Sequence, residues 1–185
     1  MNLRILLVLS VLTVATGARA ESDGPSIRES GGLLDRGAHA RPQMLSFFIG
    51  LPFYRGFYGG FPGGLGVRYY IPILKDGFLP PANDEFGIEF GGDFAVFGWS
   101  GGAFFGVSVP VEVLWDFHFF ASFDAYFKLG IALAIGFGNY GAIPYAPFGA
   151  YAVSALGLRV KITELLSFRA EFGYPWVKVG LGFAF

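Results

Sequence analysis

The side chains that could do chemistry in this 185-residue chain are mostly charges at alternating positions of extended, apolar stretches. Six are basic and six are acidic: Arg68, Glu89, Asp93, Glu112, Asp116, Asp124, Lys128, Arg159, Lys161, Arg169, Glu171 and Lys178. Side chains two residues apart on a strand point to the same face, so this spacing collects the charges on one face of each strand. Because buried ions are tolerable only when they are paired, the equal numbers of the two signs predict a network of ion pairs.

One histidine in the second half of the chain is a candidate for acid-base catalysis. His118 lies two residues after Asp116 and four before Ser122. A nucleophile, its base and the group that orients the base must lie within hydrogen-bond reach of one another. The spacing to Ser122, and a turn that we expect around His118, do not favour this arrangement. We therefore interpret His118 as structural and predict no catalytic residue.

Other reactive groups are few. The chain contains no Cys, which excludes disulfides, a thiolate metal site and a Cys nucleophile. No metal-ligand spacing is present, so we expect no metal and no cofactor. The formal net charge is -1, and no basic cluster indicates a nucleic-acid partner.

Residues 167–185 are the clearest pair of strands. Apolar residues occupy every second position in both halves of this segment. A turn at Tyr174-Pro175 places Glu171 opposite Lys178, so the charged faces of the two strands coincide. The segment therefore predicts a hairpin with one apolar and one charged face.

The last eight residues carry a pattern of their own. Lys178 is followed by Gly180, and aromatic residues stand at Phe183 and at the terminal Phe185. This arrangement resembles the C-terminal signal of small bacterial outer-membrane β-barrels of the OmpA/OmpX type. The resemblance implies a barrel in the lipid of the outer membrane. It also implies that the barrel-assembly machinery recognises the last strand as a partner.

Eight alternating runs, separated by turn-forming residues, follow residue 43. They cover approximately residues 45–54, 65–74, 86–97, 103–116, 119–137, 148–162, 167–174 and 176–185. An even number of strands is typical of bacterial single-chain barrels, in which a Lys or Arg at the lipid midplane costs about 2–4 kcal/mol. We therefore predict an all-β protein, an eight-stranded antiparallel up-and-down transmembrane β-barrel with its charges facing the lumen.

The inward face of these runs also carries large rings. They are Phe48, Tyr70, Phe104, Phe120, Tyr126, Tyr151 and Trp176. An eight-stranded barrel is just wide enough for side chains to fill it. The sequence therefore predicts a filled lumen and a structural or membrane-integrity role. A small or gated pore is the first alternative, and an outer-membrane lipid-modifying enzyme is the second.

The chain before the first run divides into two segments. Residues 1–20 resemble a secretory signal peptide, with an apolar stretch at 5–16 and a small-x-small cleavage motif at 18–20. Residues 21–43 are polar and without periodicity, which predicts a flexible periplasmic leader. We expect the barrel to comprise residues 44–185 and the exported protein to reside in the cell outer membrane.

Two other architectures compete with a barrel. The composition, 54% hydrophobic and only 15% charged, is too apolar for an ordinary soluble protein. A soluble sandwich would also expose the large rings together with the charges. A helical inner-membrane protein could use residues 129–158, but Gly and Pro interrupt that stretch repeatedly. A closed barrel avoids both difficulties.

Overall fold

The computed structural model describes residues 26–35, 37, 39–52, 61–99, 102–140, 143–145 and 148–185. The strands in these ranges are β1 (Met44–Pro52), β2 (Phe61–Leu74), β3 (Asp84–Trp99), β4 (Gly102–Phe120), β5 (Phe123–Tyr140), β6 (Ile143–Tyr145), β7 (Phe148–Lys161), β8 (Leu166–Tyr174) and β9 (Trp176–Ala184). The expected signal peptide, 1–20, and the start of the leader, 21–25, lie outside the described residues. Within the described ranges, no helix is long and apolar enough to cross a membrane.

Eight of the strands close into a barrel, and the short β6 extends the hairpin that follows β5. Each barrel strand pairs antiparallel with the next along the chain, β5 with β7 across β6. The first and last strands also pair, with Met44 opposite Ala184 and Pro52 opposite Trp176. This pairing closes the ring of the eight barrel strands. The predicted eight-stranded antiparallel up-and-down barrel is confirmed.

The two rims of the barrel are different. One rim, here called the near end, carries Gln43, Phe185 and the turn at Ala121 and Ser122, and Phe185 N–H donates to Gln43 C=O at 3.1 Å. The opposite rim, the far end, carries Pro175 between β8 and β9. Because successive strands run in opposite directions, connections alternate between the two rims.

Alternation along each strand sorts the side chains into two sets. In β4, for example, Glu112 and Asp116 face inward and are buried, whereas Val109 and Val111 face outward with 55% and 50% of their surfaces exposed. Lys161 is the one exposed charged residue in the described strands. A soluble domain would bury the apolar set, so the surface of this barrel requires an apolar solvent.

The outward residues of β4 are ordered by type. Phe105 lies toward the far end and stacks on Phe137 of β5, with ring centroids 5.7 Å apart. Valines occupy alternate positions from 107 to 113, and Trp115 packs against Phe117 near the other rim. Ten residues at about 3.3 Å each rise about 33 Å along a strand, or about 25 Å along the barrel axis at a tilt of about 40°. That height and the flanking rings match the apolar band of a transmembrane barrel.

Two strands begin earlier than the turn-forming residues predict. Residues 61–64 were expected in a Gly/Pro loop, but they belong to β2, where Gly64 lies opposite Ala95. Asp84 and Glu85 were expected in a turn, but they begin β3 and pair with β4. In both places, cross-strand pairing overrides the weak strand propensity of Gly, Pro and Asp.

The turn between the fourth and fifth runs also differs from the prediction. Phe119 was expected to begin the fifth strand, with His118 at the preceding turn. The structure instead continues β4 through His118 to Phe120 and places the turn at Ala121 and Ser122. A two-residue turn preserves the inward-outward alternation, so the pattern alone could not locate it.

The expected flexible leader contacts the near end wherever the structure describes it. Leu33 N–H donates to Phe119 C=O at 3.3 Å, and Asn83 N–H donates to Leu33 C=O at 2.7 Å. The Asn83 side chain donates to Gly32 C=O at 3.2 Å. These bonds tie residues 32–33 to the ends of β3 and β4.

A compact turn shapes this part of the leader. The backbone N–H groups of Gly31 and Gly37 donate to the Asp35 carboxylate at 2.7 and 2.9 Å. These two bonds hold the pKa of Asp35 below its ordinary value. Gly31 has a φ of 81°, which favours glycine, and it approaches Ala121 closely.

The orientation of the outward face can be tested by placing a charge on it. Ile131 lies in the middle of β5 and is 63% exposed. We expect Ile131→Arg to lower the free energy of unfolding in lipid vesicles by about 2–4 kcal/mol, because the guanidinium would lie at the lipid midplane. Leu165→Arg is the control, since Leu165 is equally exposed but lies in a near-end turn. Equal losses in denaturant titrations of the two variants would contradict a lipid-facing surface.

Candidate functional site

The middle of the lumen is filled by charged side chains that we call the central cluster. Its members are Arg68, Glu89, Asp93, Glu112, Lys128, Arg169, Glu171 and Lys178. No member has more than 5% of its surface exposed. Basic and acidic members are equal in number, so their formal charges cancel.

Arg169 makes the most contacts in the central cluster. Its guanidinium donates to Glu89 at 2.8 Å and to Glu171 at 3.0 Å. It also donates to the hydroxyl of Ser46 at 2.8 Å and to that of Tyr126 at 3.1 Å. A planar fork of N–H donors suits such a set, because each donor finds its own acceptor.

Lys128 joins three carboxylates of the central cluster. Its ammonium lies 2.7 Å from Glu89, 3.0 Å from Glu171 and 3.3 Å from Glu112. Three acceptors match the three donors of a Lys side chain. The ammonium is therefore compensated for the loss of its water shell.

The other half of the central cluster is a line of alternating charges. Arg68 donates to Glu112 at 3.0 Å and to Asp93 at 2.7 Å. Lys178 contacts the second oxygen of Asp93 at 2.9 Å and lies 5.1 Å from the centre of the Trp176 ring. The line continues the network from Lys128 toward the far end, so ion pairs occupy the cross-section of the lumen.

Above this line, toward the far end, the lumen becomes apolar. Ala95, Phe97 and Trp176 are buried together, and Phe104 packs against them. The Phe97 and Phe104 ring centroids are 6.3 Å apart. This aromatic group occupies the lumen between the central cluster and the far end.

Glycines on neighbouring strands make room for the inward rings. A Cβ atom at Gly157, opposite Tyr126, would lie 2.1 Å from the Tyr126 ring. A Cβ at Gly180 would meet the Phe48 ring at 2.8 Å. The rings lie flat over these backbones, so a side chain at either position would displace them. The filled lumen accounts for part of the high glycine content.

A second group of charges, the near-end cluster, consists of Glu85, Asp116, His118, Asp124 and Arg159. Arg159 contacts the carboxylate of Asp116 and donates to Asp124 at 2.7 Å. His118 Nδ1 lies 2.7 Å from the other oxygen of Asp124. Because both pairs cross between strands, the cluster links β4, β5 and β7.

Residues outside the near-end cluster complete it. Tyr70 donates to Glu85 at 3.0 Å, and Arg41 of the leader lies 3.2 Å from the other Glu85 oxygen. Lys161 lies 3.6 Å from Asp124, and its side chain is 39% exposed. The members of the cluster are therefore buried, and Lys161 marks its solvent edge.

No protein-family model matches the chain, and no curated protein matches it in sequence. Its fold, in contrast, matches solved structures. Ail, the attachment invasion locus protein of Yersinia pestis, is 14% identical with a TM-score of 0.51, and the match covers 78% of this chain and 97% of Ail. Neisserial surface protein A is 13% identical with a TM-score of 0.50, and that match covers 77% of this chain and 95% of the other. This chain has the fold of a small outer-membrane β-barrel.

The structure of this outer-membrane barrel brings the sequence-derived charges together. Eleven of the twelve are buried in the two clusters, and Lys161 lies at their solvent edge. Glu171 lies opposite Lys178 as the hairpin predicts, but the carboxylate that Lys178 contacts is Asp93. The tilt of the strands shifts contacts across the lumen away from simple cross-strand pairs.

Three residues in or beside the near-end cluster are not among the twelve charges predicted from the sequence. Glu85 was assigned to a turn, Arg41 to the leader, and His118 to a structural role without a partner. Glu85 lies an even number of positions before Glu89 on β3, and His118 lies two positions after Asp116 on β4, so both side chains face inward. This alternation is the signal that could have identified Glu85 and His118. Arg41 has no such signal, because residues 39–43 show no alternation.

Three residues of the C-terminal pattern lie along β9, and Phe185 follows its last residue. Lys178 points into the lumen, whereas Phe183 and Phe185 are 43% and 65% exposed on the outside. Gly180 lies opposite Phe48 of β1. This segment therefore supplies a cation to the lumen, a glycine beside the Phe48 ring, and aromatic rings to the outer surface.

Removing a buried cation tests how strongly the lumen depends on pairing. We expect Arg169→Met to lower the free energy of unfolding by about 3–5 kcal/mol, because Glu89 and Glu171 lose a charge partner while buried. Lys161→Met, at the solvent edge, should cost no more than about 1 kcal/mol. Denaturant unfolding in detergent measures both. Similar losses in the two variants would contradict the central role of Arg169.

Proposed function

We propose that the protein is an integral outer-membrane β-barrel with a structural, membrane-integrity role and a lumen that does not conduct. The central cluster carries this proposal. Its ion pairs span the lumen, and each charge has a partner of opposite sign within 3.3 Å. A water-filled pore needs a continuous polar path, whereas here the donors and acceptors are used by one another.

The orientation follows from the likeness to outer-membrane barrels. The near end, with both ends of the barrel domain, faces the periplasm, and the far end faces outward. The far-end connections between barrel strands are residues 53–60, 100–101, 141–147 with the short β6, and 175. Connections of this length give a large external partner little surface, which supports a structural role over attachment.

The proposal includes no enzymatic activity. Within the described residues, His118 is 4% exposed and its Nδ1 is engaged by Asp124, while Ser122 lies exposed in a turn. His118 also lies at the periplasmic end in the proposed orientation. A substrate in the outer leaflet would be at the opposite rim.

The partners in this proposal are the outer-membrane lipid and the barrel-assembly machinery. The outward apolar band meets the lipid. The machinery would recognise Lys178, Gly180 and Phe183 on β9 together with Phe185 just after it, and β9 is also the strand that closes the barrel against β1.

Conductance distinguishes the structural role from the pore. We expect the protein, extracted from membranes and inserted in a planar bilayer, to give no discrete conductance steps, because ion pairs fill its lumen. A porin inserted in the same lipid is the positive control, and a heat-modifiable gel band shows that the sample is folded. Reproducible steps whose ion selectivity changes in Lys178→Gln would instead support the small pore.

The C-terminal pattern can be tested separately. We expect Phe185→Ala to reduce the folded, heat-modifiable protein in the outer-membrane fraction several-fold, because the assembly machinery would lose the terminal ring. Phe172→Ala is the matched control, since Phe172 is also an exposed ring, 69% accessible, but lies on β8 outside the pattern. Unchanged assembly of Phe185→Ala, or an equal loss in Phe172→Ala, would count against recognition of this strand.

A further inference from the structure

The near-end cluster contains three polar atoms that lack hydrogen-bond partners. They are Glu85 Oε2, Asp116 Oδ1 and His118 Nε2. Their residues are 3%, 0% and 4% exposed. Burying a polar atom without a partner is costly, and native structures rarely leave three together.

The three residues that carry these atoms converge on one place. Glu85 lies directly opposite Asp116 on the β3–β4 pair, and His118 follows Asp116 on the same face of β4. The candidate ligand atoms of the three residues all lie within 4.8 Å of one another. Adjacent positions of the β3–β4 pair thus supply one histidine nitrogen and two carboxylate oxygens.

A proton on the histidine does not satisfy this arrangement. His118 Nε2 lies 3.8 Å from Glu85 Oε2, which is too long for a hydrogen bond. Arg41 Nε lies 3.2 Å from the same oxygen, yet it donates to the Lys75 carbonyl at 3.0 Å. Arg159 contacts Asp116 through the other oxygen, Oδ2. Asp116 Oδ1 and His118 Nε2 therefore remain available to a cation, and the contact of Glu85 Oε2 with Arg41 is an ion pair without a hydrogen bond.

The other ring nitrogen of His118 is held as it is in metal sites. Nδ1 lies 2.7 Å from the Asp124 carboxylate, which can only accept a hydrogen bond when ionised, so in the neutral ring the lone pair is on Nε2. Histidines that bind metals commonly donate their second N–H to a carboxylate, which fixes the tautomer and the ring orientation.

We propose that Glu85, Asp116 and His118 bind a divalent transition-metal ion, with Zn²⁺ as the fitting probe. An imidazole nitrogen with two carboxylate oxygens suits Zn²⁺, at bond lengths of about 2.0–2.2 Å, so the side chains close slightly around the ion. A cavity of about 60 Å³ opens on the near-end side, lined by Glu85 and His118 and also by the basic side chains of Arg41, Arg159 and Lys161. It provides an entry path and space for a water as further ligand.

The ion would join β3 to β4 beneath the leader. Asp124 and Arg159 surround the site without supplying the orphaned atoms, and they connect it to β5 and β7. The proposed ion is therefore a structural staple of the near end, distinct from the central cluster.

Calorimetric titration tests this site. The protein is extracted from membranes in detergent, treated with chelator, shown to be folded by its heat-modifiable band, and titrated with Zn²⁺. We expect one ion per chain. His118→Gln and Glu85→Gln should each weaken binding by about 100-fold or more, because even outer-shell partners of a metal contribute about 10–100-fold. Glu85→Gln keeps a hydrogen-bond acceptor for Tyr70 and should fold. It therefore tests the site even if His118→Gln does not fold.

Two controls complete the experiment. His39→Gln removes the other histidine of the chain, which lies in the leader, and should leave Zn²⁺ binding unchanged. Ca²⁺ should give no stoichiometric binding, because it takes six to eight oxygen ligands. The proposal is overturned if folded wild-type protein binds no Zn²⁺, if folded His118→Gln and Glu85→Gln bind it as wild type does, or if His39→Gln abolishes binding.

Discussion

Ion pairing in a space without bulk water is the constraint on which the rest of this structure depends. Arg169 and Lys128 each contact Glu89 and Glu171, so neither cation can be lost without stranding carboxylates. The same constraint fixes strand register. A slip of one residue would turn every charge toward the lipid and every large apolar residue toward the lumen. Because this free-energy cost is repeated on every strand, only one register is stable.

The backbone and the outer surface obey a related rule. In hydrocarbon each amide must find a partner within the protein, and a closed barrel is one of the few ways to satisfy all of them. Closure of β1 on β9 does this, and it also brings Ser46 within reach of Arg169. The outward valines of β4 and the inward Glu112 are thus two results of one alternation. Lipid selects the first set, and charge pairing selects the second.

Much of this architecture could be predicted from the sequence because alternation of period two is local. The strand count, the inward charges and the closing hairpin follow from it. The strand ends were less predictable, since pairing recruited Asp84 and Glu85 into β3 despite their turn-forming character. The ion partners were least predictable. Contact between Lys178 and Asp93 depends on how the strands tilt across the lumen, a property of the closed barrel. Arg41 joined Glu85 from a segment with no periodic signal.

The ion partners of the central cluster are far apart along the chain. Arg169 and Glu89 are separated by 80 positions, and Lys178 and Asp93 by 85. A chain synthesised from its N-terminus therefore presents the carboxylates of β3 well before the cations of β8 and β9 exist. A sheet of β1 to β4 alone has Arg68 as its one basic residue on the inward face, so negative charge is in excess there. A closed interior with balanced charge therefore requires β8 and β9, the strands that bring Arg169 and Lys178 to the carboxylates of β3.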